Sequence, residues 1–426
     1  MHIIQSPLFD FEAFIATKGN NRLVMVLEAL DAEKLITALE KENWTGRKGY
    51  SIRGMWSVLI AGLLSQCYSL SAVVRMLERD KDIRIICGFS RDNIPSEDAL
   101  SRFLKKLVAH EDLLGECFAN LVKELRHLLP GFGDKLAVDS TEIKAYANGH
   151  RANPADPDAR WGAKRRASHK ELKAEGGTTN EGGVKKSQGK RQDMYYWFGY
   201  KLHLVIDALY ELPVSFTLTP ANEADTMQME TLLQRAGAEQ EATKPKAVIA
   251  DKGYDSQSNY KFIFNECKAM PIIPIRERED AQLPDICNAK GTPTCGCGLE
   301  MVYWGRDGNY LKYRCPHILG KAECKSRFRC TSSPYGYALK LSIADDPRRH
   351  PPVPRETRKW QRLYRMRSAV ERVNSRVKEL LGLDKITVRG LGKVTVRAIL
   401  SLLTMLAIGV GMAQKHRLKE LRCLVA

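Results

Sequence analysis

Three acidic residues stand where a carboxylate could serve a cation. The run KAVIAD is short, apolar and closed by Asp251, the pattern by which a buried central strand delivers an acid to the rim of a sheet. In LAVDSTEI, Asp139 follows three apolar residues within a strand; burying it unpaired would be costly, so it must meet water, a cation or a metal. Taken alone, either aspartate is more readily read as a turn or helix-capping residue. The third acid has a sharper setting. Between Lys359 and Leu381 the residues Leu363, Met366, Val370, Val373, Val377 and Leu380 recur at three- and four-residue steps, which predicts an amphipathic helix of about six turns. Beside that seam runs a second stripe, Tyr364, Arg367, Glu371 and Lys378, within an arc of roughly 60°. Glu371 is therefore expected at the boundary between core and solvent. A salt-bridged surface helix would account for the arginines but does not require this stripe.

The elements that must position these acids follow from periodicity. Residues 1–130 read as helical: Ser57 to Asp80 carries apolar residues at helical spacing, and Ser96 should cap a helix whose first turn holds Glu97 and Asp98. That helix ends in Lys105 and Lys106, which suit a DNA groove or a solvated face equally. From Lys135 the pattern becomes strand, hairpin (with Glu211 in its turn), helix, strand, helix, strand: a mixed α/β sheet. Asp225 and Gln228 read as a capping-box variant opening the helix after the hairpin. Lys201 and His203 share one face of YKLHLVID; they are expected either to point toward the acids or to face solvent.

Two insertions interrupt this sheet domain, dividing it into 131–279 and 347–426. The first, 147–192, is rich in Lys, Arg, Gly, Asn and Ser and too poor in apolar residues to fold alone, so it reads as a basic flexible loop. Its clusters, Lys164-Arg165-Arg166 and Lys185-Lys186, fit phosphate contact or a solvated linker. The second, 280–346, gathers Cys295, Cys297, Cys315, Cys324 and Cys330 around a hairpin that should turn at Asp307-Gly308. Two readings stay open there: thiolates around Zn²⁺, or buried free thiols, because the spacing departs from two Cys-x-x-Cys pairs.

The chain has 426 residues, 44% of them hydrophobic, and a formal charge of +17, which favours a polyanionic partner such as nucleic acid or an anionic membrane. The N-terminus lacks the basic start and apolar core of a secretory signal, so a cytoplasmic, nucleoid-associated location is expected. The apolar stretch from Ala398 to Ala413 falls short of the roughly 20 residues of a membrane span and reads as a buried C-terminal helix.

With these residues in view, the sequence resembles the bacterial insertion-sequence transposases of the DDE type. Tyr364, Arg367, Glu371 and Lys378 satisfy the family's Tyr-x₂-Arg-x₃-Glu-x₆-Lys signature at every spacing. Asp139 in AVDST and Asp251 in ADKGYDS match its first and second catalytic aspartates, and the resemblance covers nearly the whole chain. It implies a ribonuclease H-like catalytic domain, a helical N-terminal DNA-binding or dimerisation domain, and catalysis by Asp139, Asp251 and Glu371 with Mg²⁺ or Mn²⁺. Two divalent ions can stabilise both the attacking and the leaving oxygen of an in-line displacement at phosphorus, and hard oxygen ligands suit these metals. It further implies binding of double-stranded DNA at the element's ends and at the target, contacts to that DNA from Tyr364, Arg367 and Lys378, and a homodimer on paired ends. A DNA-binding regulator with structural acids, or a repair or junction nuclease on the same fold, are the competing readings.

Overall fold

The computed structural model describes residues 21–42, 49–165, 194–238, 240–276, 287–288, 291–324 and 330–423. Helices form the N-terminal part: α1 (Asn21–Ala29), α2 (Glu33–Glu42), α3 (Ile52–Leu64), α4 (Leu70–Arg79), α5 (Lys81–Ile86), α6 (Glu97–Ala109) and α7 (Glu111–Leu128). Side chains of Ser51, Ser69, Asp80 and Ser96 each accept a backbone N–H at the start of α3, α4, α5 and α6, satisfying donors that the first helical turn leaves free. The cap expected at Ser96 is thus present, with Glu97 and Asp98 behind it.

The central sheet comprises β1 (Lys135–Lys144), β2 (Arg160–Arg165), β3 (Met194–Asp207), β4 (Leu212–Pro220), β5 (Ala247–Ala250) and β6 (Met270–Ile272). Its order is β2-β3-β1-β5-β6, with β4 also pairing β3. β1 lies antiparallel to β3 and parallel to β5, which is parallel to β6, so the sheet is mixed as the element order suggests. β5 is buried along its whole length, in keeping with its unbroken apolar run. β3 and β4 form the expected hairpin, and Glu211 takes a left-handed φ of 59° in its turn.

Two expectations about this region change. The insertion 147–192 is not loop throughout: β2 falls inside it and extends the sheet along the first half of β3. Gly162 makes this possible, because a Cβ there would come within 2.5 Å of the Trp197 ring that lies across it. Nor does Asp225 act as a capping box. It opens a 3₁₀ turn, Asp225–Gln228, without a side-chain cap, and the helix α8 (Met229–Arg235) starts beyond it. The Asp225 carboxylate is held by Lys201 instead, at 3.1 Å.

After α9 (Gln257–Asn265) the chain reaches a small antiparallel sheet, β7 (Val302–Asp307), β8 (Tyr310–Arg314) and β9 (Ala338–Ser342). The β7–β8 hairpin turns where expected, with Gly308 at φ 57°. A core of Cys295, Met301, Leu311, Tyr313 and Ile343 lies beneath it, separate from the main core.

The predicted six-turn helix is divided. α10 (Arg358–Arg365) and α11 (Ser368–Ser375) meet at Met366 and Arg367, and a π-helical turn, Arg376–Leu380, follows. Tight i→i+3 bonds, from Met366, Arg367 and Ala369 N–H to the carbonyls three residues back, replace the α-helical ladder at the junction. Finally α12 (Leu391–Gln414), buried along nearly its whole length, packs against α7, α1, β4, α6 and α3. It is long and apolar enough to cross a bilayer, but here it is the core helix expected from Ala398 to Ala413.

Candidate active site

The parallel pairing of β1 and β5 decides where the two aspartates lie. Val138 is in register with Ala250, so the next residue on each strand, Asp139 and Asp251, stands side by side, roughly one strand spacing of about 4.8 Å apart in backbone. Asp251 closes β5 and caps the 3₁₀ turn Lys252–Tyr254, accepting the Gly253 N–H at 2.7 Å. Asp139 is half-buried and accepts the Ser140 N–H at 2.8 Å. Burial and the neighbouring Asp251 carboxylate push Asp139 up to about 7, against the opposing effect of Arg367 and Lys164. A carboxylate in that position needs a cation to remain charged, and hard oxygen donors of this kind fit Mg²⁺ or Mn²⁺.

Tyr254 lies beneath the pair. It is fully buried. Burial, together with the charges of Asp139, Asp225 and Asp251, holds this phenol well above its ordinary range. Asn259 ties the neighbouring turns together, donating to the carbonyls of both Thr226 and Tyr254. Asp225 and Tyr254 are thus residues of the site that sequence reading missed. The signal available was Lys201 and His203 on one strand face, which together call for an acid across from them.

Glu371 reaches the site less directly. On α11, its side chain is about half exposed and its Oε1 accepts from Arg367 Nη2 at 2.7 Å. Burial lowers Arg367, yet the charges of Glu371, Tyr364 and Asp139 more than offset it, so this guanidinium feels both Glu371 and the first aspartate. Among the described residues no three His, Cys, Asp or Glu side chains stand together in a metal-holding arrangement. What fixes α11 is Glu211: buried in the hairpin turn, it accepts from Arg372 at 2.8 Å and Arg376 at 2.7 Å, with Arg422 at 3.3 Å. Lys378 in the π-helical turn is bound to Glu142 on β1 at 3.0 Å. Tyr364 stacks on Trp360 with ring centroids 4.8 Å apart.

The remaining sequence candidates divide. Lys201 donates to Asp225 and to the Glu223 carbonyl. His203 is not available to DNA: it is fully buried, its Nε2 lies 2.9 Å from Thr219 Oγ1, and burial lowers it to about 4, so the imidazole is neutral. Lys164 is exposed on β2; Arg165 lies at the end of that strand, and Arg166 falls outside the described residues. In the insert, Cys295 is buried in the small core, whereas Cys297 and Cys330 bring their sulfurs to 3.4 Å and Cys315, Cys324 and Cys330 line a pocket with His317.

Residues 130–407 match the family model described as the transposase DDE domain, and residues 9–106 match a second transposase domain. The chain belongs to the DDE transposases. The catalytic-domain match takes in β1, β5 and α11, and with them Asp139, Asp251 and Glu371. It makes this an insertion-sequence transposase, an enzyme of phosphoryl transfer on DNA. No curated protein matches the sequence. The transposase is also similar to a solved structure, the piggyBac transposase synaptic complex with hairpin DNA, at 11% identity and a TM-score of 0.38, over 100% of this chain and 80% of that one. That similarity is too low to argue from.

Proposed function

We propose that this transposase binds the terminal inverted repeats of its own element, cleaves DNA there and joins the freed ends to a target, with Asp139, Asp251 and Glu371 holding Mg²⁺ or Mn²⁺. The side-by-side carboxylates of Asp139 and Asp251 carry this reading. When bound, the divalent ions would offset the charge that develops on the oxygens entering and leaving phosphorus. Glu371 completes the set by exchanging its bond to Arg367 for a place beside the aspartates, and a side-chain rotation of a half-exposed residue on a clamped helix is enough to begin that exchange. Arg367, freed in the same step, is then available to a phosphate, as is Lys378 once DNA competes with Glu142.

The sheet order, with β1 central between the antiparallel β3 and the parallel β5, supports a ribonuclease H-like catalytic domain. The helical part would serve DNA binding or dimerisation, and a homodimer would hold the paired ends in the cytoplasm. Zinc in the insert belongs to the same proposal: among the described residues Cys297 and Cys330 bring two thiols together, and metal analysis of protein purified without added metal that finds no zinc would remove it.

A magnesium-dependent nicking and joining assay on DNA carrying the element's ends tests the central claim. Wild-type protein should cut and join, and Asp251→Ala should do neither while still binding DNA. Cutting retained by Asp251→Ala rejects the catalytic assignment, and cutting without joining turns the reading toward a nuclease.

A further inference from the structure

The ribbon formed by β2 and the first half of β3 presents an aromatic face that nothing in the chemistry above uses. Its register puts Trp161 opposite Phe198 and Ala163 opposite Tyr196, with Met194 two residues along β3, so these residues share one face. The face is open: Trp161 is 41% exposed, Tyr196 60% and Met194 37%, large values for such residues. The rings are also ordered among themselves. Trp161 packs 5.6 Å from Phe198 and 4.8 Å from His150, centroid to centroid.

Cations flank the ribbon. Arg389 lies over the exposed Tyr146 ring at 5.0 Å, while on the face of the ribbon opposite the platform Lys144 lies over the Tyr195 ring at 5.9 Å and Lys164 is exposed, with its charge acting on Asp139 and Glu142. The ribbon begins where β1 ends, since Gly199 pairs with both Lys144 and Arg160. From Asp139 to Lys144 is five residues of strand, about 17 Å at 3.3 Å per residue, or roughly five nucleotides at the rise of a DNA strand.

We propose that Trp161 and Tyr196 form a stacking platform for unpaired bases of the DNA strand whose phosphodiester lies at the Asp139–Asp251 pair. Planar rings left open to water, set among cations and a few nucleotides from the acids, suit a nucleobase face next to a phosphate track; duplex DNA, with its bases already stacked, has no such face to offer. The proposal rests on the reading of the aspartates as the DNA-cutting centre, but its test reads binding alone, so the two can fail separately.

The test measures fluorescence anisotropy, without divalent metal, on a duplex with a short unpaired 3′ extension carrying 2-aminopurine and on the blunt duplex of the same sequence. Wild-type protein should bind the extended duplex at least about fivefold more tightly and quench the 2-aminopurine. Trp161→Ala/Tyr196→Ala should lose that preference and the quenching while binding the blunt duplex as before, and Trp161→Phe/Tyr196→Phe should keep most of both. No preference in the wild type overturns the proposal, as does a preference that survives in the alanine pair. Equal weakening on both DNAs overturns it too, in favour of a merely structural role. So does a change in oligomeric state, read by sedimentation, without loss of the preference, which would make the face a contact between copies of the chain.

Discussion

At the scale of single residues, the site holds more negative charge than it can neutralise by itself. Asp139 beside Asp251 is a like-charge pair in partial burial, which disfavours the folded state unless a cation is present. Replacing Asp139 by Asn keeps the Oδ1 that accepts the Ser140 N–H and removes one charge. In metal-free buffer Asp139→Asn should therefore stabilise the protein by about 1–2 kcal/mol in denaturant titration while lowering cleavage by at least about a thousandfold. A variant less stable than wild type would contradict the charge argument. His203 gives a second prediction, with its sign set by burial. Its folded value near 4 is below the ordinary 6.5, so the unfolded chain takes up a proton first. The stability it contributes is complete above about 6.5 and is lost as pH falls from there to about 4, by on the order of 3 kcal/mol, with Asp225 and Lys201 the charged groups beside the ring. Unfolding free energy measured over that window should fall more steeply for wild type than for His203→Gln; parallel curves would remove His203 as the cause. The sequence made the aspartates legible because an apolar run closed by an acid is a local pattern. It could not show Tyr254 near them or Lys378 bound to Glu142, since both depend on which strands and helices come together, whereas the Arg367–Glu371 pair is the local i,i+4 contact that a salt-bridged helix offers.

At the scale of elements, the helix bearing Glu371 is placed by a clamp and not by its own apolar seam alone. Glu211, buried in the β3–β4 turn at a left-handed φ, gathers Arg372, Arg376 and Arg422, joining that turn to α11, to the π-helical turn after it and to the C-terminal segment. Removing one member of a buried ion network leaves the others uncompensated, so Glu211→Ala should cost about 3 kcal/mol of stability. It should also lower DNA cleavage beyond that loss at temperatures where the variant remains folded, because Glu371 is next to Arg372. Cleavage per folded molecule equal to wild type would show that the clamp stabilises without positioning. The amphipathic period correctly reported a helical segment from about Lys359 to Leu381, but not its division at Met366 and Arg367, since the apolar spacing passes through the junction unchanged. Composition likewise described the basic insertion as unable to fold alone. β2 does not fold alone: it borrows its partner from β3, and Gly162 against Trp197 is a fit that only pairing reveals.

At the scale of the whole molecule, the helical N-terminal part and the sheet share one continuous core, and α12 is its axis. Two glycines mark where it is gripped from different sides. A Cβ on Gly409 would come within 2.9 Å of Leu212 on β4, and one on Gly411 within 2.4 Å of Met25 on α1, so the helix approaches both neighbours more closely than any larger residue permits. Buried side chains on every face of α12 then bind the two parts into one cooperative unit. The described protein should accordingly unfold in a single transition, with the fluorescence of Trp56 in α3, read in a variant whose other tryptophans are replaced by Phe, and amide exchange in β1 and β5 reporting the same midpoint. Gly411→Val, which drives a branched side chain into Met25 on α1, should lower the midpoint for both probes together, by about 2 kcal/mol or more. Were α1 and α3 to melt early while β1 and β5 kept their protection, the helices would be a separate domain resting on the sheet. The charge balance, +17 over the chain, would then have to be assigned to each part before DNA binding could be attributed to either.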